Sequence, residues 1–378
     1  MAADFNGPGV VWQTRLDSSP VLVAAGKISG DNIEIAVAMG KTVSIYTPED
    51  SVYRILATAE AEREVLSLAV GLPVTGRDSI ILGSEDRITL WGFRQGSLQL
   101  LGRTDPEPGA RFTDLAVGDL DGDGRQEIAG AASGTENIYV YRLAGQEDSL
   151  RLELAGIRLV PGRPVQVEIF RSSGGPGIAV LYWDGDISGL VIYFLTEEGF
   201  AEGPALENLP GRPMLLVAGN FTEGLALGGG DGRVRIIAVT GSELKTILTT
   251  SVLGSAVSAL ASVSRGFSLA AGTPGGYVFI FGFPVQQEPD RAVHNGEPVY
   301  SLADAGSGRL ALGTVRGVLQ LISVDNVAAG VAYTVRPGDT LWLIAGRFAT
   351  TAVKIMQENN IREPGLIYPG QVLTIPPS

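Results

Sequence analysis

One hairpin pattern recurs seven times along this chain of 378 residues and limits its fold more than any other feature. Each copy has an apolar run of small residues, a turn of Gly, Asp or Asn in most copies, and a second apolar run. In one copy the second run alternates Ile138 and Val140 with two tyrosines, and strict alternation is typical of a half-buried strand. The copies are Glu34–Tyr46, Ser79–Trp91, Glu127–Tyr141, Gly177–Tyr193, Gly224–Ile237, Ser268–Phe281 and Arg309–Ile322.

The spacing of these copies predicts a mainly β protein, a β-propeller. Equivalent residues recur at steps of about 41 to 50 residues, the range expected for four-stranded blades. They are Ala36, Ile81, Ala129, Ala179, Ala226, Ala270 and Ala311. An apolar run precedes every hairpin and is predicted to form the innermost strand. These runs are Val21–Ala25, Val65–Val70, Phe112–Val117, Pro164–Phe170, Met214–Ala218, Val257–Val263 and Val299–Ala303. A β-solenoid and two stacked sandwiches are the alternatives, which the period disfavours.

The two ends of the repeat region predict how the ring closes. The last copy has no outer strand of its own, because the repeat stops after Val324, whereas variable stretches such as Leu98–Thr104 follow other copies. Gly9–Asp17 precedes the first copy and has no blade. Pairing this stretch with the seventh blade would protect both sheet edges. We therefore expect a seven-bladed propeller closed by its N-terminal strand over residues 1–327, and a second domain over residues 328–378.

Composition argues against several classes of function. The absence of cysteine excludes disulfides, zinc–thiolate sites and thiol catalysis. The single histidine, His294, is expected in a solvated loop between strands and supports neither a multi-histidine metal site nor a Ser-His-Asp triad. A net charge of −13 makes nucleic acid and anionic membranes unsuitable partners. No apolar run approaches the ~18 residues of a membrane span, and no secretory signal is recognisable at the start.

One acidic turn carries the most specific local chemistry. Carboxylates stand at its first, third and fifth positions, with Gly at the sixth, so that a tight loop can direct hard oxygen ligands to one point. The expected ligands are Asp119, Asp121, Asp123, the carbonyl of Arg125, and Glu127. Calcium suits this set. An EF-hand is excluded because Gly130 stands where that motif needs Glu and a strand pattern follows instead of a helix.

Residues Gly118–Ala131 resemble the FG-GAP or VCBS repeats of integrin-like propellers. The resemblance implies one structural Ca²⁺ ion between strands of a blade. The alternative is an ordinary Asp/Gly turn without metal, but its carboxylates would then repel one another, since no Lys lies beside them. Two further acidic turns, at residues 184–186 and 230–232, are predicted to be hairpin turns without catalytic function.

The repeat ends after Val324, and the remaining residues follow a different pattern. They predict the order β-α-α-β, with a Pro-Gly turn after the first strand and another before the last. The predicted elements are a strand at Tyr333–Arg336, a helix at Leu341–Phe348 capped by Asp339 or Thr340, a helix near Ala352–Asn359 and a strand at Gln371–Ile375.

Three blocks of this region, Tyr333–Phe348, Asn359-Asn360 and Leu366–Pro376, closely resemble a LysM domain. The resemblance implies binding of glycans that contain N-acetylglucosamine, such as peptidoglycan or chitin, without cleavage. It places the sugar in a shallow groove between two loops. The groove residues carried over are Gly338, Asp339, Thr340 and Leu341 on one side and Gly365, Leu366, Ile367 and Tyr368 on the other. Trp342 is expected to cover the core, with stacking on sugar as the alternative.

These features predict a non-catalytic cell-envelope binding protein. The LysM domain would bind the glycan, and the propeller would be a rigid platform for a second partner, a protein or a polysaccharide. One alternative is a glycan-cleaving or glycan-modifying enzyme with its active site in the propeller, but no catalytic set of residues is recognisable. Another is a LysM domain that docks to protein. The expected location is the cell wall or cell surface, and a bacterial spore envelope would reconcile it with the missing signal.

Overall fold

The protein is mainly β and consists of a seven-bladed propeller followed by a small domain with two helices. A computed structural model describes residues 9–16, 19–50, 52–74, 76–145, 150–172, 175–196, 199–211, 213–219, 224–240, 243–263, 267–282, 284–324, 331–347, 351–361, 363 and 367–375. Seven antiparallel four-stranded sheets form the blades, and a two-stranded sheet belongs to the C-terminal domain. The propeller prediction is therefore confirmed.

Strands follow the repeat from the centre of the ring outwards. The chain starts with β1 (Val10–Arg15), and blade 1 contains β2 (Leu22–Gly26), β3 (Glu34–Met39), β4 (Thr42–Glu49) and β5 (Val52–Glu60). Blade 2 contains β6 (Ser67–Val74), β7 (Arg77–Gly83), β8 (Ile88–Arg94) and β9 (Ser97–Arg103). Blade 3 contains β10 (Phe112–Gly118), β11 (Glu127–Ala132), β12 (Asn137–Ala144) and β13 (Arg151–Leu159). Blade 4 contains β14 (Arg163–Ser172), β15 (Gly175–Asp184), β16 (Ile187–Thr196) and β17 (Gly199–Leu206).

The remaining blades complete the circle. Blade 5 contains β18 (Pro213–Gly219), β19 (Gly224–Gly229), β20 (Val234–Thr240) and β21 (Glu243–Thr249). Blade 6 contains β22 (Ala259–Ser262), β23 (Phe267–Gly272), β24 (Tyr277–Gly282) and β25 (Arg291–His294). Blade 7 contains β26 (Val299–Gly306), β27 (Arg309–Thr314) and β28 (Val318–Ser323), and its outer strand is β1. First strands of neighbouring blades contact one another around the ring, including β26 against β2.

The N-terminal strand closes the ring as the sequence predicted. Strand β1 pairs antiparallel with β28, with Gln13 opposite Gln320. Gln320 is 1% exposed and donates a hydrogen bond to the side-chain oxygen of Gln13 at 3.1 Å. The ring centroid of Trp12 lies 6.0 Å from that of Tyr46 and 5.7 Å from that of Tyr53, both in blade 1. One strand therefore connects blade 7 to blade 1.

The hydrophobic core lies between blades. Among the described residues, seven apolar clusters fill the contacts between adjacent blades. Small residues in the second strands follow from the close approach of the next blade. At Gly313, for example, an added Cβ would lie 2.1 Å from the carbonyl oxygen of Val21. Such a contact is sterically impossible without movement of one blade, which explains why this strand cannot carry larger residues here.

The C-terminal domain has the predicted β-α-α-β order. Its elements are β29 (Val331–Thr334), α1 (Leu341–Arg347), α2 (Ala352–Glu358) and β30 (Val372–Ile375), and β29 pairs antiparallel with β30. Thr340, not Asp339, caps α1, because its hydroxyl accepts a hydrogen bond from the Leu343 amide at 3.2 Å. The Asn359 side-chain oxygen, at the end of α2, accepts a hydrogen bond from the Thr374 amide of β30 at 2.7 Å and so links the helix to the sheet. Phe348 and the predicted boundary between residues 327 and 328 lie outside the described residues.

This domain packs directly on blades 5 and 6. Val372 of β30 is 8% exposed and belongs to the apolar cluster between those blades. The Thr334 hydroxyl donates to the Val252 carbonyl at 2.8 Å. The Tyr277 hydroxyl lies 3.5 Å from the Val372 carbonyl. Among the helices that the structure describes, none is long and apolar enough to cross a membrane.

Candidate functional site

The two loops expected to bind sugar lie at the same end of the small β29–β30 sheet. Beyond that sheet, the Val335 amide donates to the Gln371 carbonyl and the Gly370 amide donates to the Val335 carbonyl, both at 2.8 Å. These two backbone bonds hold the chain after β29 against the chain before β30. The described residues that follow β29 and precede β30 are therefore close together.

The first loop, residues 338–341, has two exposed residues, one hydrogen-bonded carboxylate and one buried side chain. Gly338 and Thr340 are exposed, and Gly338 has φ +88°, a conformation that favours glycine. The Asp339 carboxylate accepts hydrogen bonds from the Arg336 amide at 2.8 Å and from the Tyr333 hydroxyl. Leu341 is 0% exposed and packs in the domain core. The Leu341 side chain therefore cannot contact a ligand, and the surface of this loop is formed by Gly338 and Thr340.

The second loop presents an aromatic side chain. Tyr368 is 63% exposed, and its amide donates to the Gln371 side chain at 3.0 Å. Ile367 is half-buried and packs against the core of the domain. Gly365 and Leu366, the other two predicted groove residues, lie outside the described residues. Tyr368 is consequently the side chain of this loop with the largest described apolar surface open to a ligand.

Trp342 does not cover the core. It is 64% exposed on α1, directly after Leu341, and its neighbour Leu343 is 59% exposed. The inward positions of α1 are filled by Leu341, Ile344 and Ala345. The prediction of a core-covering Trp342 is therefore wrong, because the helix turns residue 342 away from the core. Its indole is free to meet a partner beside the first loop.

In blade 3 the acidic turn brings together three of the predicted ligands. Carboxylate oxygens of Asp119, Asp121 and Glu127 all lie within 4.8 Å of one another. Asp123 is not in this group, and its carboxylate accepts from the Arg125 amide at 2.7 Å. Asp119 likewise accepts from the Gly122 amide at 2.7 Å. Three of the five predicted ligands therefore have oxygens close enough together to hold one hard cation, and the cation itself remains a prediction.

Two arginines from outside the turn offset part of its negative charge. Arg142 of β12 lies 2.7 Å from Asp121 and 3.6 Å from Glu127, and Arg171 of blade 4 lies 2.9 Å from Asp119. These arginines offset part of the expected repulsion, although burial and then the charges of Asp121 and Asp123 still raise the pKa of Glu127. Local sequence could not show this offset, because Arg171 is 52 residues away from Asp119.

Glu127 has a structural function that does not depend on a metal. It is 2% exposed and accepts from the Leu120 amide at 2.8 Å, and burial raises its pKa. Glu34 occupies the equivalent place in blade 1, where it is 1% exposed and accepts from the Ser29 amide at 2.6 Å. Blade 1 lacks the acidic series, so a buried Glu at this position stabilises the turn in both blades.

Two carboxylates that sequence reasoning missed lie on innermost strands of adjacent blades. Asp114 of β10 accepts from the Val167 amide of blade 4 at 2.9 Å, and burial raises the pKa of Asp114 to about 7. Burial also raises the pKa of Glu168 well above its usual value, and the charge of Asp114 adds to this. Comparison of the equivalent innermost-strand position in all seven repeats could have identified Glu168 as the exception.

In each blade, the second-strand residue that was used to align the repeats is paired across the sheet with one residue of the innermost strand. Six of these facing residues are alanine or valine, and the seventh is Glu168. They are Ala24, Ala69, Ala116, Glu168, Val217, Ala261 and Ala303.

The other flagged residues are structural. Residues 185–186 and 230–232 form the predicted turns, and Asp184 is the last residue of β15. Asp231 pairs with Arg235 at 2.5 Å. His294 is exposed but ends strand β25, so its predicted position in a loop is wrong, and its ring lies 4.6 Å from the Tyr277 ring.

The structure defines a seven-bladed propeller followed by a small β-α-α-β domain. Residues 333–376 match the LysM domain family. In fold, the chain is similar to a structure described as BBS1N in complex with ARL6DN, soaked with lead, with a TM-score of 0.62 and 13% identity over 85% of this chain and 98% of that one. It is also similar to Sqt1 of Saccharomyces cerevisiae, with a TM-score of 0.59 and 11% identity over 86% and 87%. No curated protein matches.

Proposed function

We propose that the chain is a non-catalytic cell-envelope protein whose LysM domain binds glycans containing N-acetylglucosamine, in peptidoglycan or chitin. The observation that carries this proposal is the position of the two groove loops. The described parts of the loops lie beside each other, and Gly338, Thr340 and Tyr368 are exposed. Contacts with blades 5 and 6 are made by other residues, among them Thr334, Arg336 and Val372. Exposed backbone amides can reach N-acetyl groups, and the Tyr368 ring can pack against a sugar face.

Calorimetric titration of the full chain with a hexamer of N-acetylglucosamine tests this proposal. Tyr368→Ala is expected to weaken binding about tenfold, since loss of one aromatic contact costs roughly 1.5 kcal/mol. Tyr300→Ala is the matched control, because Tyr300 is 41% exposed on blade 7. Equal affinity of wild type and Tyr368→Ala would contradict the assignment of the groove.

The propeller is proposed to be a platform for a second partner and not an enzyme. One observation favours the enzyme alternative: Asp114 has a raised pKa beside a second carboxylate, as a general acid would need. The platform is favoured because Asp114 already holds blades 3 and 4 together through the Val167 amide. Incubation with purified peptidoglycan and with chitin is expected to release no soluble sugar. Release of soluble sugar by wild type, and its loss in the Asp114→Asn variant, would support the enzyme instead.

We propose one structural Ca²⁺ ion at the turn of blade 3. Asp119, Asp121 and Glu127 would provide oxygen ligands and the ion would replace the arginines as their counter-charge. Thermal unfolding with calcium and with a chelator tests this: calcium is expected to raise the melting temperature of wild type but not of Asp121→Asn. Asp31→Asn in blade 1 is the matched control, because Asp31 pairs with Arg77 in the equivalent turn. An identical melting temperature in both solutions would contradict the site.

The proposed location is the cell wall or cell surface, with a bacterial spore envelope as the specific candidate. The supporting argument is that LysM domains act where amino-sugar polymers are accessible. Co-sedimentation of the full chain with purified peptidoglycan and with chitin would distinguish the two polymers. Retention by neither would contradict the proposed location.

A further inference from the structure

A cleft between the propeller and the LysM domain combines residues from both. It has a volume of ≈ 270 Å³. Its walls come from the residue before β20, the segment after β21, the loop between β24 and β25, and the end of β29 with the residues that follow it. The lining residues are Arg233, Ser251, Val252, Glu288, Tyr333, Thr334, Val335, Arg336 and Pro337. Ligand sites occur preferentially at domain interfaces. The size is below the roughly 300–1,000 Å³ of pockets that enclose whole ligands, so it suits one side group of a polymer.

The cleft adjoins the proposed glycan groove. Arg336 and Pro337 line the cleft, and Gly338, the first groove residue, follows directly in the chain. Asp339 links the two, because its carboxylate accepts from the Arg336 amide and from the Tyr333 hydroxyl. A polymer bound in the groove therefore has its neighbouring groups within reach of the cleft.

The charged groups of the cleft favour an anion. Arg233 donates one hydrogen bond to the Thr250 carbonyl at 2.6 Å. Among the described residues its guanidinium forms no ion pair, but it interacts electrostatically with the nearby Asp231 carboxylate, which is itself paired with Arg235. The Arg336 guanidinium lies 5.8 Å from the Tyr333 ring centre and 3.5 Å from Glu288, in a contact whose side chains are 64% and 50% exposed. Among the residues that line the cleft, two arginines thus face one glutamate, in a chain with net charge −13. The carboxylates of Asp231 and Asp339 lie beside the cleft and are not part of its lining. Arginine is the side chain best suited to paired hydrogen bonds with a carboxylate.

We propose that this cleft binds a carboxylate carried by the same amino-sugar polymer that occupies the LysM groove. The proposal rests on the proposed glycan binding and extends it, because Arg233 makes the propeller part of the glycan site. The chain would then recognise an acidic polymer in preference to a neutral one. Glu288 opposes this preference by competing for Arg336.

Three polymers test the proposal with the full chain at low salt. The first is a neutral hexamer of N-acetylglucosamine. The second is a strand in which every second sugar carries a lactyl carboxylate, and the third is the same strand with peptides attached to the lactyl groups. Wild type is expected to bind the second about fivefold more tightly than the first. Strongest binding of the third would support the proposal with the carboxylates of the peptide as the source.

Two variants with opposite expected effects exclude misfolding as an explanation. Arg233→Gln is expected to bind acidic and neutral polymers equally, with unchanged affinity for the neutral hexamer. Glu288→Gln is expected to increase the preference for the acidic polymer, and it keeps an acceptor for the Ser251 hydroxyl. Arg54→Gln is the control, because Arg54 is 70% exposed on blade 1. Equal binding of all polymers by wild type, or an equal loss for all in Arg233→Gln, would overturn the cleft alone. Failure to bind any polymer would overturn the LysM groove as well.

Discussion

Arg235 is 5% exposed, and its guanidinium pairs with Asp231 in the turn that begins the second hairpin strand of blade 5. Burial alone would raise the pKa of Asp231, but the hydrogen bond and charge of Arg235 outweigh it and lower this pKa. The sequence predicted the turn and not its charge pairing. Turn residues follow from local backbone preferences, whereas ion pairs depend on which side chains the fold brings together.

Asp231→Asn is expected to destabilise the protein by about 2 kcal/mol. Removing one partner of a buried pair costs roughly 3–5 kcal/mol, and the 30% exposure of the Asp231 side chain reduces this. Chemical denaturation measures the change. Asp184→Asn, beside the corresponding turn of blade 4, is the control and should change stability by less than about 0.5 kcal/mol. Equal stability of the two variants would contradict a structural function for the pair.

Glu168→Ala is expected to stabilise the protein by about 1 kcal/mol at pH 8, because the six equivalent positions are alanine or valine. The folded protein raises the pKa of Glu168, so its contribution to stability is complete below the unfolded pKa near 4.5 and declines as pH rises towards the folded pKa. Thermal unfolding should therefore show a larger gain at pH 8 than at pH 5. Glu153→Ala, with a 49% exposed side chain, should show no such gain. Destabilisation by Glu168→Ala at pH 8 would contradict the prediction.

At the scale of elements, the repeat made the strands predictable because every blade buries the same face at the same spacing. The innermost strand, the hairpin and the closing strand β1 all lie where the sequence placed them. Strand β25 was missed because its four residues include Arg291 and His294, which show no apolar alternation. Trp342 was misassigned although the apolar face of α1, formed by Leu341, Ile344 and Ala345 at i, i+3 and i+4, leaves residue 342 outside it.

Trp12→Ala tests the closure of the ring by β1. The variant is expected to lose about 2–3 kcal/mol, because the indole packs on Tyr46 and Tyr53 of blade 1 while its strand belongs to blade 7. The measurement is the denaturant midpoint. Val11→Ala, one residue away and 47% exposed, is the control and should have little effect. A midpoint unchanged by Trp12→Ala would show that closure does not depend on this contact.

At the scale of the molecule, the LysM domain is packed on the propeller through Val372 and Thr334 while its groove loops remain accessible. The sequence predicted the propeller and the LysM fold, whereas the groove residues remain a prediction from a glycine-rich loop motif that is local in the chain. It could not identify the cleft at the junction, because Arg233 and Arg336 are brought together only by the packing of the two domains. The acidic chain thus presents arginines beside its proposed glycan groove.

Hydrogen–deuterium exchange of the full chain, with and without the N-acetylglucosamine hexamer, tests the central claim of glycan binding by the LysM loops most directly. Bound sugar is expected to slow exchange in peptides that cover residues 338–341 and 365–370, and to leave the outer strands of blades 1 to 4 unchanged. Protection confined to the propeller, or no protection at saturating hexamer, would contradict the account.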